Sequence, residues 1–329
     1  DTPCQIASMT KAVVSVAAMK LVEQGRLDLD APVGPLLPEL ADPQVLSGFD
    51  ADGQAILRPA ARPITARHLL THTAGLGYPF VQSEIARFVA TTPPGRPGTR
   101  ASLRLPLLSD PGEAWHYGIS TDWLGLLIEA MCGARLGDTL AEAIFAPLGM
   151  KGTGFHPQLP AGAARVHMRT DDGFRPRSLF IGGGEYQSGG GGLVGTAPDY
   201  ARFIRMILNG GALDGQRVLR PETVAEMTRN QVAPLRAGFM PSAQPEIAGD
   251  FDAMPGQHSG WGLGFLINPL EGPHGRSPGS LAWAGIFNSY YWIDPKAGLG
   301  GMMLSQLSPF GDAGALALFG AVERAAYGR

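Results

Sequence analysis

The sequence predicts an α+β fold in which an antiparallel sheet is flanked by helices and an all-helical lobe lies beside it. A nearly all-apolar helical stretch opens the chain, helical patterns separated by Pro/Gly loops fill its middle, and short aromatic and aliphatic runs followed by a helix close it. Such blocks are typical of α+β folds, whereas a parallel sheet needs strands and helices that alternate. We therefore expect an α/β lobe built from residues 1–26 and 255–329, and a mainly helical lobe built from residues 27–254.

The chain opens with a helix that the sequence predicts from about Ser8 to Gln24. Its residues between Val13 and Val22 are apolar almost all the way round, which is typical of a helix packed on most sides. Gly25 is expected to end it, because glycine readily adopts the left-handed conformation that follows a helix.

Capping residues, the helical spacing of apolar residues and helix-ending Gly or Pro predict five further helices. They run from Thr65 through Leu70, from Ser120 or Thr121 through Cys132 before Gly133, from Asp138 to Pro147, from Tyr200 to Leu208 before Gly210-Gly211, and from Ala313 to Tyr327. Four runs predict strands. They are Trp261 to Ile267, Leu281 to Ala284, Ser289 to Ile293 and Gly300 to Leu304, with a turn over Asp294 to Gly298.

The composition disfavours several classes of function. The 329 residues carry 26 Lys and Arg against 29 Asp and Glu, a net charge of -3, so there is no diffuse basic field for nucleic acid. No apolar run approaches the roughly 20 residues that span a bilayer, which predicts no membrane span. The sequence favours a cytoplasmic location, or a periplasmic or secreted one if a leader has been removed. Cys4 and Cys132 are too few for a disulfide framework or a four-thiolate zinc site.

The sharpest chemical feature is the pair formed by Ser8 and Lys11. At i and i+3 on a helix, the hydroxyl and the amine share one face within hydrogen-bond reach. A serine hydroxyl is a weak nucleophile until a base takes its proton, and a desolvated lysine can do so. The free N–H groups of the helix N-terminus can also stabilise an oxyanion. The alternative is a capping serine and a surface lysine, but Lys11 opens a stretch that is otherwise apolar all round.

Two later segments could complete such a site. Tyr117 lies in a loop before a predicted helix, where its phenol either relays a proton or packs in the core. Gly285 interrupts a predicted strand and lets another group approach the backbone, so that the N–H of Ile286 could be a second oxyanion donor. The alternative for this segment is an ordinary strand with a buried Trp283.

Taken in this order, the three elements resemble the serine β-lactamase and penicillin-binding-protein superfamily, with its Ser-x-x-Lys, Tyr-x-Asn and Lys-Thr-Gly elements. The chain is most similar to the class C β-lactamase-like carboxylesterases, often called family VIII esterases, over nearly its whole length. The similarity extends to Ile6 to Lys11, Leu69 to Leu76, Ser188 to Leu193 and Trp292 to Pro295. It implies a β-lactamase/transpeptidase-like fold with the active site in the cleft between the two lobes.

The resemblance also implies roles for individual residues. Ser8 becomes the nucleophile, Lys11 its base or proton-sharing partner, and Tyr117 the acid or base that serves acylation and leaving-group departure. The N–H groups of Ser8 and Ile286 become the oxyanion hole. Which of Lys11 and Tyr117 holds the proton at rest stays open, because their titrations would be coupled.

Two departures from the β-lactamase pattern bear on the substrate. Ile119 stands where β-lactamases carry the Asn of Tyr-x-Asn, and Trp283-Ala284-Gly285 stands where they carry Lys-Thr-Gly. Both changes replace polar groups that would hold a β-lactam by apolar surface, and the Trp is similar to the Trp-Gly-Gly of the esterase branch. We therefore expect Ile119, Trp283, Ala284 and Gly285 to bind an uncharged small-molecule ester.

The sequence thus predicts a serine carboxylesterase that hydrolyses small or short-chain esters through an acyl-enzyme on Ser8, without cofactor or metal. The alternatives are a class C-type β-lactamase or D-Ala peptidase-like hydrolase, an acyltransferase that uses the same acyl-enzyme, and a non-catalytic penicillin-recognition relative. These families place several dozen residues before the nucleophile, whereas seven precede Ser8. The sheet is therefore expected either to continue in a segment outside this sequence or to be completed in another way.

Other patterns carry less weight. No Gly-x-Ser-x-Gly elbow occurs, which disfavours an α/β-hydrolase. His68 and His72 lie four residues apart, but no third ligand accompanies them, so packing and capping are expected rather than a metal site. His116 is expected either to tune the site or to hydrogen-bond a loop. The weaker candidates for the pocket wall are Tyr78, Tyr186, Trp261 and Phe287.

Overall fold

The computed structural model describes residues 1–329, which form nine α-helices and seventeen short strands. The helices are α1 (Thr10–Glu23), α2 (Ala66–Thr71), α3 (Ser83–Thr91), α4 (Ser120–Cys132), α5 (Leu136–Leu140), α6 (Ala146–Leu148), α7 (Ala197–Leu208), α8 (Pro221–Thr228) and α9 (Ala313–Ala326). Single turns of 3-10 helix and a π-helical turn also occur, at Ala7–Met9, Pro38–Leu40, Arg100–Leu103 and, for the π turn, Ala141–Phe145.

The strands form one five-stranded sheet and several small ones. They are β1 (Cys4–Gln5), β2 (Gln44–Phe49), β3 (Ala55–Pro59), β4 (Gly154–Phe155), β5 (His167–Thr170), β6 (Gly173–Pro176), β7 (Leu193–Gly195), β8 (Ala212–Leu213), β9 (Gln216–Arg217), β10 (Phe239–Met240), β11 (Phe251–Asp252), β12 (Gly260–Trp261), β13 (Leu266–Ile267), β14 (Leu281–Gly285), β15 (Ser289–Asp294), β16 (Leu299–Met303) and β17 (Leu307–Ser308). The large sheet is antiparallel throughout, in the order β12-β13-β14-β15-β16. The predicted α+β class is therefore confirmed.

Most predicted helices occur where the sequence places them, because their ends are marked by local chemistry. The side chain of Thr65 accepts a hydrogen bond from the N–H of His68 and caps α2, while Gly25 and Gly133 follow α1 and α4 in the left-handed conformation. Helix α7 begins after Thr196, which caps it in the same way, and ends before Gly210. Local rules suffice at these positions because the capping atoms lie within a few residues of each other.

Three predicted helix boundaries are wrong. Helix α7 begins at Ala197 rather than at Tyr200. Ser120 is the first residue of α4 rather than its cap, and its hydroxyl has no hydrogen-bond partner. The helical segment expected from Asp138 to Pro147 begins at Leu136 and continues to Leu148. Its π-helical turn shifts the hydrogen-bond pattern, so that Pro147 falls in the first turn of α6, where no backbone N–H is needed.

The strand predictions need one correction, since the run from Trp261 to Ile267 is not a single strand. It is a tight hairpin of β12 and β13, and Gly264 turns the chain with a φ of 102°. A side chain at Gly264 would meet Ser15 of α1, which explains the glycine. The short strands between residues 27 and 254, such as the hairpin of β2 and β3, were not predicted. The division into lobes at 1–26 with 255–329 and 27–254 stays a prediction.

A single cluster of buried apolar side chains unites the two chain ends with the middle. Helix α1 lies at its centre, where every residue from Thr10 to Met19 is buried. It packs against α4, α5 and α8, while α7 and α9 pack against the strands of the large sheet. No helix of the chain combines the length and the apolarity that crossing a membrane requires.

Candidate active site

Ser8 is held at the entrance of α1 by a short strand and a strained turn. Strand β1 pairs with β7, which fixes the chain two residues before the turn. Ala7 then adopts a φ of 45°, an unusual conformation for a residue with a side chain, and Ser8 follows in the 3-10 turn that leads into α1. The turn leaves Ser8 half-buried on the wall of a cavity while its neighbours Ala7 and Met9 are buried.

Lys11 lies one turn further along and is fully buried. Its Nζ makes three hydrogen bonds, to Ser8 Oγ at 3.1 Å, to Tyr78 Oη at 3.2 Å and to the carbonyl oxygen of Gly190 at 2.7 Å. All three oxygens belong to neutral groups, and Nζ forms no salt bridge. A surface lysine is thereby ruled out. Burial of an amine without an adjacent carboxylate costs free energy, which favours a functional role for Lys11 over a stabilising one.

The glycine-rich turn after Ser188 brings Gly190 to Lys11. Asp122, a buried residue in the first turn of α4, accepts hydrogen bonds through its Oδ1 from Ser188 Oγ at 2.6 Å and from the N–H of Gly190 at 3.0 Å. A side chain at position 190 would collide with the carboxylate of Asp122, so glycine is required there. Burial raises the pKa of Asp122, and the charge of Lys11 and these hydrogen bonds act in the opposite direction.

Two phenols flank the amine of Lys11, and they differ in what they bind. The hydroxyl of Tyr78 bonds to Nζ, whereas that of Tyr117 accepts a hydrogen bond from Trp283 Nε1 at 3.0 Å. The ring of Tyr117 still lies under the amine, with Nζ 4.7 Å from the ring centre. Burial, followed by the charge of Asp122, raises the pKa of Tyr78 well above its usual value, so Tyr78 is a neutral phenol.

Strand β14 approaches Ser8 from the other side. Gly285 lies against the carbonyl oxygen of Ile6 so closely that a side chain would clash with it. The N–H groups of Ser8 and Ile286 donate to no atom of the protein. Two free donors on adjoining segments are the arrangement that an oxyanion requires, and the assignment of Ser8 and Ile286 as an oxyanion hole stays a prediction.

Ser8 lines two cavities of different size. The larger has a volume of about 330 Å³. Its wall includes Tyr78, Phe80, Ile119, Tyr186 and Ile286. The smaller measures about 20 Å³ and is bounded by Phe80, Tyr117, Met240, Trp283, Ala284, Gly285 and Phe310. Mostly apolar walls suit uncharged ligands with few polar groups.

Other cavities lack reactive groups of this kind. One of about 290 Å³ lies between α9 and the sheet, next to the buried ion pair of Arg276 and Glu323. Another of about 790 Å³ is a surface groove beside Glu39. Neither contains Ser8 or Lys11, so chemistry rather than size identifies the candidate site.

The predicted site residues thus come together, with two exceptions among the weaker candidates. Tyr78 and Tyr186 line the larger cavity, but Trp261 and Phe287 are buried away from both cavities that adjoin Ser8. His72 ends α2 and packs against Tyr117, Trp115 and Trp261. No group of three potential ligands for a metal ion occurs in the chain.

The sequence did not predict the contact of Tyr78 with Lys11 or any role for Asp122. Acidic residues are common in the first turn of a helix because they interact favourably with the helix dipole. The sequence pattern therefore does not distinguish Asp122 as a functional residue. Tyr78 lies 67 residues from Lys11, and no local pattern links them.

The chain is similar to known proteins over nearly its whole length. The family model described as Beta-lactamase matches residues 1–323. The chain is 34% identical to monacolin J acid methylbutanoyltransferase of Aspergillus terreus, over 95% of this chain and 78% of that protein. It is 32% identical to lovastatin esterase of Penicillium rubens, over 92% of this chain and 79% of that protein. The solved structure of simvastatin synthase from Aspergillus terreus is similar with a TM-score of 0.86 and 33% identity, over 99% of this chain and 84% of that one.

Proposed function

The chain belongs to the beta-lactamase family, and from that premise we propose that it is a serine acyltransferase. It forms an acyl-enzyme on Ser8 and passes the acyl group to the hydroxyl of a small, largely apolar acceptor. The observation that carries the proposal is the cavity of about 330 Å³ beside Ser8. Its mostly apolar wall suits an acceptor of low polarity, and an acceptor bound there would displace water. A relative named as a methylbutanoyltransferase supports transfer over the hydrolysis that the sequence alone favours.

Acylation begins with attack of Ser8 Oγ on the carbonyl carbon of an acyl donor. A neutral Lys11 amine has two N–H bonds and one lone pair, which match two acceptors and one donor around Nζ. It donates to Tyr78 and Gly190 and accepts the proton of Ser8, and the resulting ammonium donates to all three oxygens. The contacts therefore suit both protonation states of Lys11 and require little reorganisation during proton transfer.

The remaining steps follow from the same geometry. The new Ser8 Oγ–C bond forms, the oxyanion is stabilised by the N–H groups of Ser8 and Ile286, and the donor's alcohol leaves with a proton from Tyr117 or Lys11. An acceptor hydroxyl in the larger cavity then attacks the acyl carbon, which breaks the Ser8 Oγ–C bond and returns a proton to Ser8.

The substrate-binding proposal concerns Ile119 and the segment Trp283-Ala284-Gly285. Ile119 and Trp283 are buried and bring no charge into the cavities. Trp283 uses its only donor on Tyr117, so no polar group remains there for a substrate carboxylate. An uncharged ester therefore fits better than a β-lactam, whose carboxylate would be left without a partner.

The test is a partition experiment with p-nitrophenyl butyrate as donor and increasing concentrations of cyclohexanol as acceptor. We expect p-nitrophenol to be released and the product to change from butyric acid to cyclohexyl butyrate in a saturable way. Ser8→Ala should retain less than a hundredth of the donor cleavage. The matched control is Ser15→Ala, a buried serine of α1 that packs against Gly264 away from the site.

The same experiment judges the second candidate, a carboxylesterase, which the lovastatin esterase among the relatives favours. Ser8-dependent release of butyric acid alone, at every acceptor concentration and with a panel of larger alcohols, would support hydrolysis and contradict transfer. Activity that survives in Ser8→Ala would contradict both. Nitrocefin is included as a β-lactam substrate, and we expect little turnover of it.

A further inference from the structure

Asp122 is a buried carboxylate that the proposed chemistry leaves without a role. It lies on the wall of the larger cavity, and only its Oδ1 has partners, the hydroxyl of Ser188 and the N–H of Gly190. The carbonyl of the same Gly190 accepts a hydrogen bond from Lys11 Nζ. One glycine therefore joins the carboxylate to the amine through its two backbone polar groups.

We propose that Asp122 is the counter-ion of Lys11, separated from it by the backbone of Gly190, and that it stabilises the ammonium that forms when Lys11 takes the proton of Ser8. The inference rests on the proposed function in that it assigns Lys11 as the proton acceptor. Asp122 touches neither Ser8 nor a reacting atom, so it is a positioning residue. Its effect is electrostatic and passes through Lys11.

No other group around Lys11 supplies negative charge. Tyr78, Tyr117 and Tyr186 contribute phenols, and burial raises the pKa of Tyr78 and Tyr186 further above neutrality. Burial and then the charge of Lys11 lower the pKa of His72 well below its usual value, so His72 is neutral. Asp122 is consequently the one carboxylate among the groups that face the amine from α2, α4 and the loops around residues 78, 117 and 190. The charge of Lys11 opposes the rise that burial gives to the pKa of Asp122, so the two groups act on each other. A nearby opposite charge typically shifts a titration by about 1 pH unit or more.

The spacing by Gly190 also explains why the two charges do not meet directly. A direct ion pair would draw Nζ away from Ser8, whereas the carbonyl of Gly190 holds it 3.1 Å from Ser8 Oγ. The hydrogen bond between Gly190 N–H and Asp122 in turn holds the glycine turn in place. The carboxylate thus contributes both charge and the position of the carbonyl.

The test measures the titration of the Lys11 amine by NMR. Few signals have to be resolved, because the chain has only four lysines, Lys11, Lys20, Lys151 and Lys296. NMR of protein labelled with 13C at lysine Cε gives four signals, and Lys11→Arg assigns one of them. In Asp122→Asn the amide oxygen can keep both hydrogen bonds while the charge is lost. We expect the titration midpoint of Lys11 to fall by about 1 pH unit.

The matched control is Asp199→Asn. Asp199 is also buried and also accepts one backbone N–H and one hydroxyl, from Gly152 and Thr153, but none of its hydrogen bonds reaches Lys11. We expect no shift of the Lys11 midpoint there, and none in Asp122→Glu, which restores the charge. An unchanged midpoint in Asp122→Asn, or an equal shift in Asp199→Asn, would overturn the proposal.

A second measurement covers the case in which Asp122→Asn does not fold. In Lys11→Met the loss of the positive charge should raise the titration midpoint of the Asp122 carboxyl by about 1 pH unit, since the coupling is reciprocal. An unaltered Asp122 midpoint would contradict the counter-ion role. Neither titration depends on turnover. The counter-ion proposal can therefore fail while the acyl-transfer proposal stands, and the acyl-transfer proposal can fail while the counter-ion proposal stands.

The pH–rate profile gives a further readout. Its limb that reports Lys11 should lie at lower pH in Asp122→Asn than in the wild type, as the NMR midpoint does. A purely structural role would lower kcat at every pH without moving that limb.

Discussion

The proposed roles of Lys11 and Tyr117 concern the same proton transfer, although no hydrogen bond joins the two side chains. The amine lies over the phenol ring, and the phenol oxygen is oriented by Trp283 Nε1. Residues that serve one proton transfer cannot contribute independently, because the step fails when either is lost. We therefore expect the losses caused by substituting Lys11 and Tyr117 to be non-additive.

Lys11→Ala and Tyr117→Phe should each lower kcat/KM for p-nitrophenyl butyrate by about a hundredfold or more, which is the usual contribution of a proton-transferring group. The double variant should lose little more than the worse single variant. The control Lys20→Ala removes a lysine of the same helix whose Nζ bonds only to Ala143, and it should keep wild-type activity. Losses that multiply in the double variant would show that Lys11 and Tyr117 act separately.

Among the secondary-structure elements, α2 adjoins the site, because its end leads into the loop that carries Tyr78 and His72 at that end packs against Tyr117. The helix has six residues and depends on a reciprocal cap, in which Thr65 Oγ1 accepts from the N–H of His68 and His68 Nδ1 accepts from the N–H of Thr65. His72 then ends the helix with a φ of 57°.

Thr65→Ala should therefore lower the free energy of unfolding by about 1 kcal/mol, measured by urea denaturation. Ser83→Ala is the control, because the exposed Ser83 hydroxyl at the start of α3 caps no backbone N–H and bonds to Glu84 instead. We expect that control to stay within about 0.5 kcal/mol of wild type. Equal effects of the two substitutions would show that the cap of α2 is not a stabilising feature.

Some element boundaries could be predicted from the sequence and others could not. Helix ends at Gly25, Thr65 and Gly133 were predictable, because cap and helix lie within a few residues. The hairpin of β12 and β13 was not, since its turn depends on contact between Gly264 and Ser15, which are far apart along the chain. In the site, the relation of Ser8 to Lys11 follows from helix spacing, whereas Tyr78 and Asp122 reach Lys11 only through the tertiary fold.

At the scale of the whole molecule, segments that are far apart along the sequence meet at the site. Strand β1 pairs with β7, and the side chain of Gln306 bonds to the backbone of Gln5 on the other side. The start, the middle and the end of the chain are thereby tied together immediately before Ser8. Partial unfolding of any of them would displace Ser8, the proposed nucleophile, so global stability and activity should decline together.

Acid pH should reduce that stability through His72. Burial and the charge of Lys11 hold the pKa of His72 well below the usual value of about 6.5, so the folded protein resists a proton that the unfolded chain accepts. The stabilisation is complete above about pH 6.5 and declines as the pH falls below it, by up to about 1.4 kcal/mol per pH unit for one proton. Burial lowers the pKa of His68 and His116 in the same direction.

Urea denaturation of wild type and His72→Asn between pH 7.5 and 5 measures this contribution. Asparagine tolerates the left-handed conformation of position 72 and does not titrate, so the variant should lose less stability per pH unit, whatever its stability at pH 7.5. The control His258→Asn makes the same change at an exposed histidine and should keep the wild-type slope. If the free energy of unfolding depends on pH equally in wild type and in His72→Asn, His72 takes up its proton equally well in the folded and the unfolded chain. The burial of this ring against Tyr117 would then play no part in acid sensitivity.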